Sequence, residues 1–204
     1  MTGVKICGLT TVDDAVHCVD LGAEAIGLNF WSRSPRRTDI PTAREIVAAV
    51  GDRADTVGVF VDHSVAEILE IMAKTGIVWA QLHGDETPAQ LDALLPHAYK
   101  AIGVADDGAI ARAATYRGEH LLLDASVPGL PGGTGRTFDW AIAAEVAKAR
   151  KLTLAGGLNP ANVQRAIETV RPFRVDVASG VESEPGRKDA ARVAAFMDAV
   201  RAAD

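Results

Sequence analysis

The fold is decided by a strand–helix–strand pattern whose first copy spans residues 4–30, VKICGLTTVDDAVHCVDLGAEAIGLNF. Residues 4–7 and 25–30 are short, mainly aliphatic runs of the kind that form buried strands. Between these runs, apolar residues recur at i, i+3, i+4 and i+7, which is the spacing of an amphipathic helix. Gly22 suits the end of that helix because glycine tolerates positive φ. The stretch therefore predicts a β–α–β unit.

The same pattern continues to the end of the chain. Eight strand-like runs begin about 20 to 32 residues apart, which is the size of a strand–helix unit. Because each crossover helix returns the chain to the same edge, consecutive strands pair in parallel. We predict an α/β protein with a minimal (β/α)8 TIM barrel, in which residues 1–204 form a single catalytic domain. The expected strands are residues 4–7, 25–30, 55–60, 79–82, 99–104, 120–124, 152–155 and 174–178.

An open, doubly wound sheet is the main alternative architecture. Such a sheet commonly carries a Gly-x-Gly-x-x-Gly turn after its first strand, and this sequence has no such turn. The sequence also has no P-loop motif. Both observations favour the barrel.

Capping residues mark several predicted helices. Thr11 is expected to cap the first helix, with Asp14 at the capping-box position. The third helix is expected to begin after Ser64 and to end at Gly76. The last helix is predicted at about residues 189–202, and its expected buried residues are Val193, Phe196, Met197 and Val200.

Composition disfavours several classes of protein. The chain is 48% hydrophobic and 24% charged with a formal net charge of -6, which argues against disorder and against a nucleic-acid partner. No apolar stretch approaches the roughly 20 residues needed to span a bilayer, and the N-terminus lacks a signal-peptide apolar region. Two cysteines, Cys7 and Cys18, are too few for a disulfide scaffold. We expect a soluble, cytoplasmic monomer or homodimer without membrane or nucleic-acid partners.

The candidate catalytic groups lie at the carboxyl ends of the predicted strands, where active sites of this fold are found. Alternation along the strands places their polar side chains on the face that points into the barrel. These side chains are Lys5, Cys7, Gln81, His83, Asp124 and Asp176. Cys7 is alternatively a small buried hydrophobe, Asp124 a turn cap and His83 a structural histidine. Convergence from strands distant in sequence favours a catalytic site.

The expected chemistry at these strand ends is acid–base chemistry without a metal. Lys5 is either a charged filler of the barrel or a cation that lowers the pKa of the Cys7 thiol. The sequence has no His-Glu-x-x-His motif, no Cys-x-x-Cys motif and no carboxylate cluster at metal-ligand spacing.

Glycine-rich loops follow the seventh and eighth predicted strands, where barrels of this type often bind phosphate. The first loop contains Gly156 and Gly157, and the second contains Ser179 and Gly180. Glycine allows backbone N–H groups to approach an anion closely, although both loops are alternatively tight turns that require positive φ. A third glycine-rich loop, residues 125–139, is long enough to predict a functional role.

Positive charge for binding an anion is expected from the basic loop at residues 32–37. It follows the second predicted strand, so it lies at the barrel rim. A clamp for a carboxylate or for a second anion is one interpretation of this loop, and a solvated basic loop is the other.

Motifs spread along the whole chain occur together in one known family. They are Lys5-Ile6-Cys7-Gly8-Leu9-Thr10, Ser34-Pro35-Arg36, Val57-Gly58-Val59-Phe60-Val61, Gln81-Leu82-His83-Gly84-Asp85-Glu86, Leu123-Asp124, Gly132-Gly133-Thr134-Gly135, Phe138-Asp139-Trp140, Ala155-Gly156-Gly157-Leu158-Asn159-Pro160 and Val175-Asp176-Val177-Ala178-Ser179-Gly180-Val181-Glu182. In these stretches the chain resembles the phosphoribosylanthranilate isomerases of tryptophan biosynthesis. Ala178 is a small departure, because serine is often expected there.

The resemblance implies an Amadori rearrangement that converts N-(5-phosphoribosyl)anthranilate to 1-(2-carboxyphenylamino)-1-deoxyribulose 5-phosphate without a cofactor. It implies Asp124 as the general acid that opens the ribose ring and Cys7 as the general base at C2. For this, Asp124 must be protonated and Cys7 partly thiolate, and a charge interaction between the two groups would favour both forms. The implied binding residues are Arg36 for the carboxylate, Gln81, His83 and Asp176 for other substrate groups, and Gly133, Gly135, Gly156, Gly157, Ser179 and Gly180 for the phosphate.

Three other functions would each require different residues. Indole-glycerol-phosphate synthase requires a catalytic lysine at the strand ends, whereas Lys5 precedes Cys7 and Lys100 begins its strand. A bifunctional isomerase that also accepts the histidine-pathway aminoaldose would have paired aspartates on the first and fifth strands. A non-catalytic protein that binds a phosphorylated metabolite would not require both Cys7 and Asp124.

Overall fold

The computed structural model describes residues 1–106, 108–125 and 138–203. Eight strands within these ranges pair in parallel, in chain order, around a closed barrel. The predicted (β/α)8 fold is therefore confirmed. The strands are β1 (Gly3–Cys7), β2 (Ala25–Asn29), β3 (Asp55–Phe60), β4 (Trp79–Leu82), β5 (Ala98–Val104), β6 (His120–Ala125), β7 (Lys151–Leu154) and β8 (Arg174–Val177).

A helix follows each barrel strand on the outside of the barrel. They are α1 (Val12–Asp20), α2 (Ile40–Val50), α3 (Val65–Thr75), α4 (Pro88–Asp92), α5 (Gly108–Thr115), α6 (Trp140–Ala147), α7 (Val163–Val170) and α8 (Ala190–Arg201). Short 3-10 turns occupy Gly51–Arg53 and Ser179–Val181. After β8, an antiparallel hairpin forms from β9 (Glu182–Glu184) and β10 (Arg187–Lys188). Within the described ranges no helix has the length and apolar character to cross a membrane.

Local capping signals place the helix ends. The Thr11 hydroxyl accepts a hydrogen bond from the Asp14 N–H at 3.2 Å, as predicted for the cap of α1. The expected capping box is wrong, because the Asp14 carboxylate accepts the Lys188 N–H at 3.0 Å instead. Ser64 and Glu67 do form a capping box at the start of α3. Helix α8 buries the four apolar residues that its periodicity predicted.

Side-chain alternation along the strands divides the core into two layers. Aliphatic residues on the outer faces, such as Ile6, Leu28 and Leu82, pack in one cluster with the helices. A second cluster fills the barrel interior and consists of Ala25, Val57, Tyr99, Ala101, Leu122 and Ala155, with Trp79 packed against it. The inward faces of β1 and β8 instead carry the buried polar residues Lys5 and Asp176. The barrel therefore presents charged groups in its interior, and these must be paired.

Candidate active site

The strand ends bring the predicted site residues together in two groups joined by polar contacts. On one side, Lys5 Nζ donates to Asp176 Oδ2 of β8 at 2.9 Å. Lys5 and Cys7 both belong to β1, so this ion pair lies next to Cys7. On the other side, His83 connects to Asp124, with its Nε2 lying 3.3 Å from Asp124 Oδ2. The inward direction that alternation assigned to Lys5 is therefore confirmed by its pairing with Asp176.

The Cys7 thiol occupies a space that a neighbouring glycine leaves open. Gly27 is the register partner of Cys7 on β2, and a Cβ atom there would lie 2.7 Å from the Cys7 Sγ. The same Cβ would lie 3.1 Å from Lys5 Nζ. Since contacts this short require a displacement, a side chain at Gly27 would force the thiol or the ammonium group to move.

Burial raises the pKa of the Cys7 thiol, because a buried thiolate loses its hydration. Lys5 and Lys188 act in the opposite direction, whereas Asp176 adds to the effect of burial. The expectation that Lys5 would lower the pKa of Cys7 is therefore correct for that pair of groups but wrong for the net shift. The physical reason is that burial is the largest effect and outweighs the positive charge of Lys5, and Asp176, the ion-pair partner of Lys5, raises the pKa further.

A chain of polar contacts from three strands leads to Asp124. The Tyr99 hydroxyl donates to Gln81 Oε1 at 3.0 Å, and Gln81 Nε2 lies 2.8 Å from His83 Nδ1. Because Gln81 Oε1 accepts from Tyr99, the amide on the other side donates to Nδ1, which leaves the ring proton on Nε2. The protonated Nε2 is then the ring nitrogen that lies 3.3 Å from Asp124 Oδ2. The contacts do not support the expected charge interaction between Asp124 and Cys7. The polar group in contact with Asp124 is His83.

Gln81 is buried within this chain and has no free amide atom. Its side chain is 1% exposed, and its amide oxygen and nitrogen are bonded to Tyr99 and His83. The expectation that Gln81 contacts the substrate directly does not fit this burial. Its contacts instead suit a residue that orients His83.

The glycine-rich loops after β7 and β8 pack closely against their neighbours. Gly156 has a φ of +88°, and a Cβ there would lie 2.5 Å from the Ala125 nitrogen and 3.1 Å from Asp124 Oδ1. A Cβ at Gly180 would lie 2.0 Å from the Leu158 carbonyl oxygen. Gly156 thus has the positive φ that the tight-turn alternative supposed, whereas Gly180 lacks a positive φ and is required only by the close backbone approach. The close packing of Gly180 against Leu158 also brings the loops after β7 and β8 together at one place on the barrel rim.

Two further predicted phosphate contacts, Gly133 and Gly135, lie outside the described residues. Gly157 is described and has a φ of +65°, consistent with a tight turn. Ser179 begins the 3-10 turn that follows β8, in the loop that contacts Leu158.

Arg36 is ion-paired in this structure rather than free to receive an anion on all sides. Its Nε lies 2.9 Å from Glu182 Oε1, and its Nη2 lies 2.7 Å from Glu182 Oε2. The stem of Arg36 lies over Gly8, where a Cβ would come within 2.6 Å of Cδ. Because Gly8 directly follows Cys7, this packing holds the guanidinium group near the candidate base.

Three residues of the site were not among the sequence-based candidates. Tyr99 begins the chain of polar contacts to Asp124, and Glu182 and Lys188 come from the hairpin after β8. Lys188 Nζ donates to the Cys7 carbonyl at 2.7 Å and to Glu182 Oε1 at 2.9 Å. Glu182 ends one of the family-like motifs, which was a usable signal. No periodicity or motif in the sequence marks Lys188.

A third buried lysine, Lys100, stabilises the loop after β4. Lys100 Nζ donates to Glu86 Oε2 at 2.9 Å and to the Gly84 carbonyl at 2.6 Å. Glu86 in turn accepts from the Gly84 N–H at 2.9 Å. These contacts give the Gly84-Asp85-Glu86 motif a structural role, and they occupy Lys100 with loop contacts. In the part of the chain that the structure describes, no group of three or more His, Cys, Asp or Glu residues is arranged to hold a metal ion.

Comparison with known proteins identifies the family. The family model for N-(5'phosphoribosyl)anthranilate (PRA) isomerase matches residues 4–199. This chain belongs to the PRA isomerase family. The N-(5'-phosphoribosyl)anthranilate isomerase of Pseudomonas aeruginosa (strain LESB58) is 47% identical to it over 200 residues, covering 97% of this chain and 94% of that protein. The resemblance inferred from the motifs is thus confirmed, and it decides against the indole-glycerol-phosphate synthase family.

Solved structures of PRA isomerases have the same fold. The enzyme from Thermotoga maritima is 38% identical and superimposes with a TM-score of 0.92, covering 99% of this chain and 100% of that one. A PRA isomerase in complex with reduced 1-(o-carboxyphenylamino)-1-deoxyribulose 5-phosphate is 36% identical, with a TM-score of 0.89 and coverage of 99% and 100%. That relative therefore binds a phosphorylated small molecule.

Proposed function

We propose that this chain catalyses the isomerisation of N-(5-phosphoribosyl)anthranilate to 1-(2-carboxyphenylamino)-1-deoxyribulose 5-phosphate in tryptophan biosynthesis. The observation that carries the proposal is the family match over residues 4–199, nearly the whole chain. The site geometry supports it, because a thiol and a carboxyl group stand at the ends of β1 and β6, each with its own polar partners. Residues 1–204 are proposed to act as one catalytic domain without a cofactor.

The first proposed step is opening of the ribose ring. Asp124 donates a proton to the ring oxygen, the C1–O bond breaks, and the anthranilate nitrogen forms a protonated Schiff base with C1. His83 Nε2 lies 3.3 Å from Asp124 Oδ2, so we assign the transferred proton to the other carboxyl oxygen, Oδ1. Gly156 favours this arrangement, since it places no side chain against Oδ1.

The second proposed step is proton removal at C2. The Cys7 thiolate takes this proton, and the electron pair of the C–H bond forms an enolamine with the Schiff base. The enolamine then tautomerises to the ketone, with loss of the C2 hydroxyl proton and gain of a proton at C1. Asp124 has given one proton and Cys7 has received one, so the overall reaction is a balanced isomerisation.

The proposed contacts to substrate use atoms that the protein leaves available. Glu182 bonds the Nε and Nη2 side of Arg36, and the terminal edge formed by Nη1 and Nη2 remains able to bind a carboxylate. Asp176 Oδ1 is buried without a hydrogen-bond partner among the described residues, which suits an acceptor for a substrate hydroxyl.

The phosphate is proposed to bind where the loops after β7 and β8 meet. Backbone N–H groups of Gly157, Ser179 and Gly180 are the proposed donors. The close approach of Gly180 to Leu158 supports this placement, because it brings the two loops to one position. Gly133 and Gly135 stay predictions.

The test is an activity assay with substrate generated in the cuvette. Phosphoribosylanthranilate is fluorescent, so its loss can be followed with and without the protein. We expect loss of fluorescence far above the uncatalysed rate, and formation of the ketose phosphate in equal amount. Binding of a phosphorylated analogue with no turnover would contradict the proposal and support the non-catalytic alternative. Two of our expectations, a monomer or homodimer and a cytoplasmic location, stay predictions.

A further inference from the structure

The hairpin formed by β9 and β10 places a buried ion pair beside the candidate base. Glu182 and Lys188 are 5% and 8% exposed, and Lys188 Nζ lies 2.9 Å from Glu182 Oε1. Burying two charges at the rim of a barrel is costly unless each is fully hydrogen-bonded. Lys188 and Glu182 each make further hydrogen bonds besides the one that joins them.

Lys188 uses its ammonium group to join the ends of two strands. Besides Glu182, it donates to the Cys7 carbonyl at 2.7 Å and to the Ala178 carbonyl at 3.3 Å. An ammonium group has three N–H donors, so all three are engaged. The Lys188 backbone is held separately, since its N–H donates to the Asp14 carboxylate of α1. Lys188 is therefore fixed at the seam where β1 and β8 close the barrel.

Glu182 connects the same pair to Arg36. Its two carboxylate oxygens accept from Arg36 Nε at 2.9 Å and from Arg36 Nη2 at 2.7 Å. A guanidinium group bound along this side is fixed in its plane, and its outer edge points away from Glu182. Glu182 also accepts from the Gly186 N–H at 3.4 Å, which fixes the carboxylate within the hairpin.

We infer that Lys188 and Glu182 are positioning residues: Lys188 fixes the backbone of Cys7 and holds a positive charge beside its thiol, and Glu182 sets the plane of the Arg36 guanidinium. The inference rests on the proposed function where it concerns substrate. The effect of Lys188 on the Cys7 thiol concerns the free protein and does not depend on the proposed function.

The charges that face the Cys7 thiol define what Lys188 contributes. Lys5 and Asp176 approach it from β1 and β8 as a mutually bonded pair, and the neutral Tyr99 hydroxyl approaches from β5. Gly27 approaches from β2 with backbone only. Lys188 adds a positive charge from β10 that favours the thiolate. Loss of that charge should make the thiolate harder to form, and loss of the opposing Glu182 charge should make it easier.

The first experiment measures the rate of Cys7 alkylation by iodoacetamide from pH 6 to 10. All proteins carry Cys18→Ala, which removes the other thiol. We expect Lys188→Met to slow alkylation about tenfold below the thiol pKa, equivalent to a rise of about one pH unit. Glu182→Gln should accelerate it about threefold or more, and Lys188→Arg should keep the parent profile.

Lys100→Met is the matched control, because it breaks an equally buried Lys–Glu pair on the other side of the barrel. We expect it to reduce stability without changing the alkylation profile of Cys7. A parent profile in Lys188→Met, or an equal shift in Lys100→Met, would overturn the assignment of Lys188. Should Lys188→Met fail to fold, the opposite shift expected in Glu182→Gln decides the point, and its absence rejects the inference.

The second experiment measures steady-state kinetics of Glu182→Gln. We expect KM to rise about fivefold to twentyfold with a smaller change in kcat, because Arg36 loses its fixed orientation rather than its charge. An unchanged KM would reject the role of Glu182. If neither the parent nor any variant shows turnover, the proposed function fails, whereas the alkylation shifts still test the role of Lys188.

Discussion

His83 Nε2 lies 3.3 Å from Asp124 Oδ2, and the opposite ring nitrogen of His83 lies 2.8 Å from the amide of Gln81. The Tyr99 hydroxyl fixes the orientation of that amide by donating to its oxygen at 3.0 Å. With Tyr99 as the donor to the amide oxygen, the Gln81 amide nitrogen donates to His83 Nδ1. His83 thus lies between the buried Gln81 amide and the proposed acid, and its own side chain is 16% exposed.

Replacing Asp124 with asparagine should abolish the proposed proton donation to the ring oxygen. We expect kcat to fall by about two to four orders of magnitude, since an amide cannot act as a general acid. Binding of a phosphorylated product analogue, measured by calorimetry, should stay within a few-fold of the parent. Turnover at the parent rate would remove Asp124 from the mechanism.

Replacing Gln81 with methionine should impair catalysis although Gln81 itself makes no proposed contact with substrate. The variant keeps the approximate volume but leaves Tyr99 and His83 without their shared partner, so we expect kcat to fall about tenfold and stability by about 1–3 kcal/mol. Tyr99→Phe is the matched control, because it removes only the first hydrogen bond and should have a smaller effect on kcat. An equal loss in both variants would indicate a packing defect instead of an orienting role.

The raised pKa of Cys7 predicts activity that increases with pH. Burial disfavours the thiolate, so only a small fraction of the free protein carries the base form at neutral pH. We expect kcat/KM to rise through the neutral range and to keep rising past about pH 8.5, the ordinary pKa of a free thiol. A profile already flat at pH 7 would show that the thiol of the free protein is ionised there. Cys7→Ala should lower kcat by about two to four orders of magnitude at every pH.

Replacing Arg36 with alanine should mainly weaken substrate binding. The terminal edge of its guanidinium is the proposed partner of the anthranilate carboxylate, and we expect KM to rise about 10-fold to 100-fold. Arg37→Ala is the matched control, because Arg37 is its exposed neighbour in the same loop. Equal KM values for Arg36→Ala and the parent would reject the carboxylate clamp.

His120 should make the fold sensitive to acid. Burial, with Arg174 and Lys5 nearby, lowers the pKa of His120 to about 3. Below about pH 6.5 the unfolded chain takes up a proton that the folded ring does not, so stability present above that pH is lost as pH falls toward 3. After allowance for the partial exposure of the ring, we expect a loss of about 2 kcal/mol between pH 6.5 and 4.5.

Urea denaturation at both pH values checks this prediction. His120→Asn should show a smaller dependence on pH than the parent, because the titrating ring is gone. His97→Asn removes an exposed histidine and serves as the control. Parent-like pH dependence in His120→Asn would contradict the assignment.

The sequence by itself determined the strands and the direction of their side chains. Each observed barrel strand agrees with its predicted bounds to within one residue at either end. Alternation along β1 correctly directed Lys5 inward, and Thr11 and Ser64 correctly capped their helices. These features follow from interactions over a few residues, whose periodicity is visible in the sequence.

Only the tertiary structure decided which groups became partners. Lys5 meets Asp176 across 171 residues, Arg36 meets Glu182 across 146, and Lys188 meets the Cys7 carbonyl across 181. The barrel closes by pairing its first strand with its last, so residues from opposite ends of the chain become neighbours there. No local pattern encodes such contacts. They govern the protonation of Cys7, because burial and the nearby charges act through space rather than along the sequence.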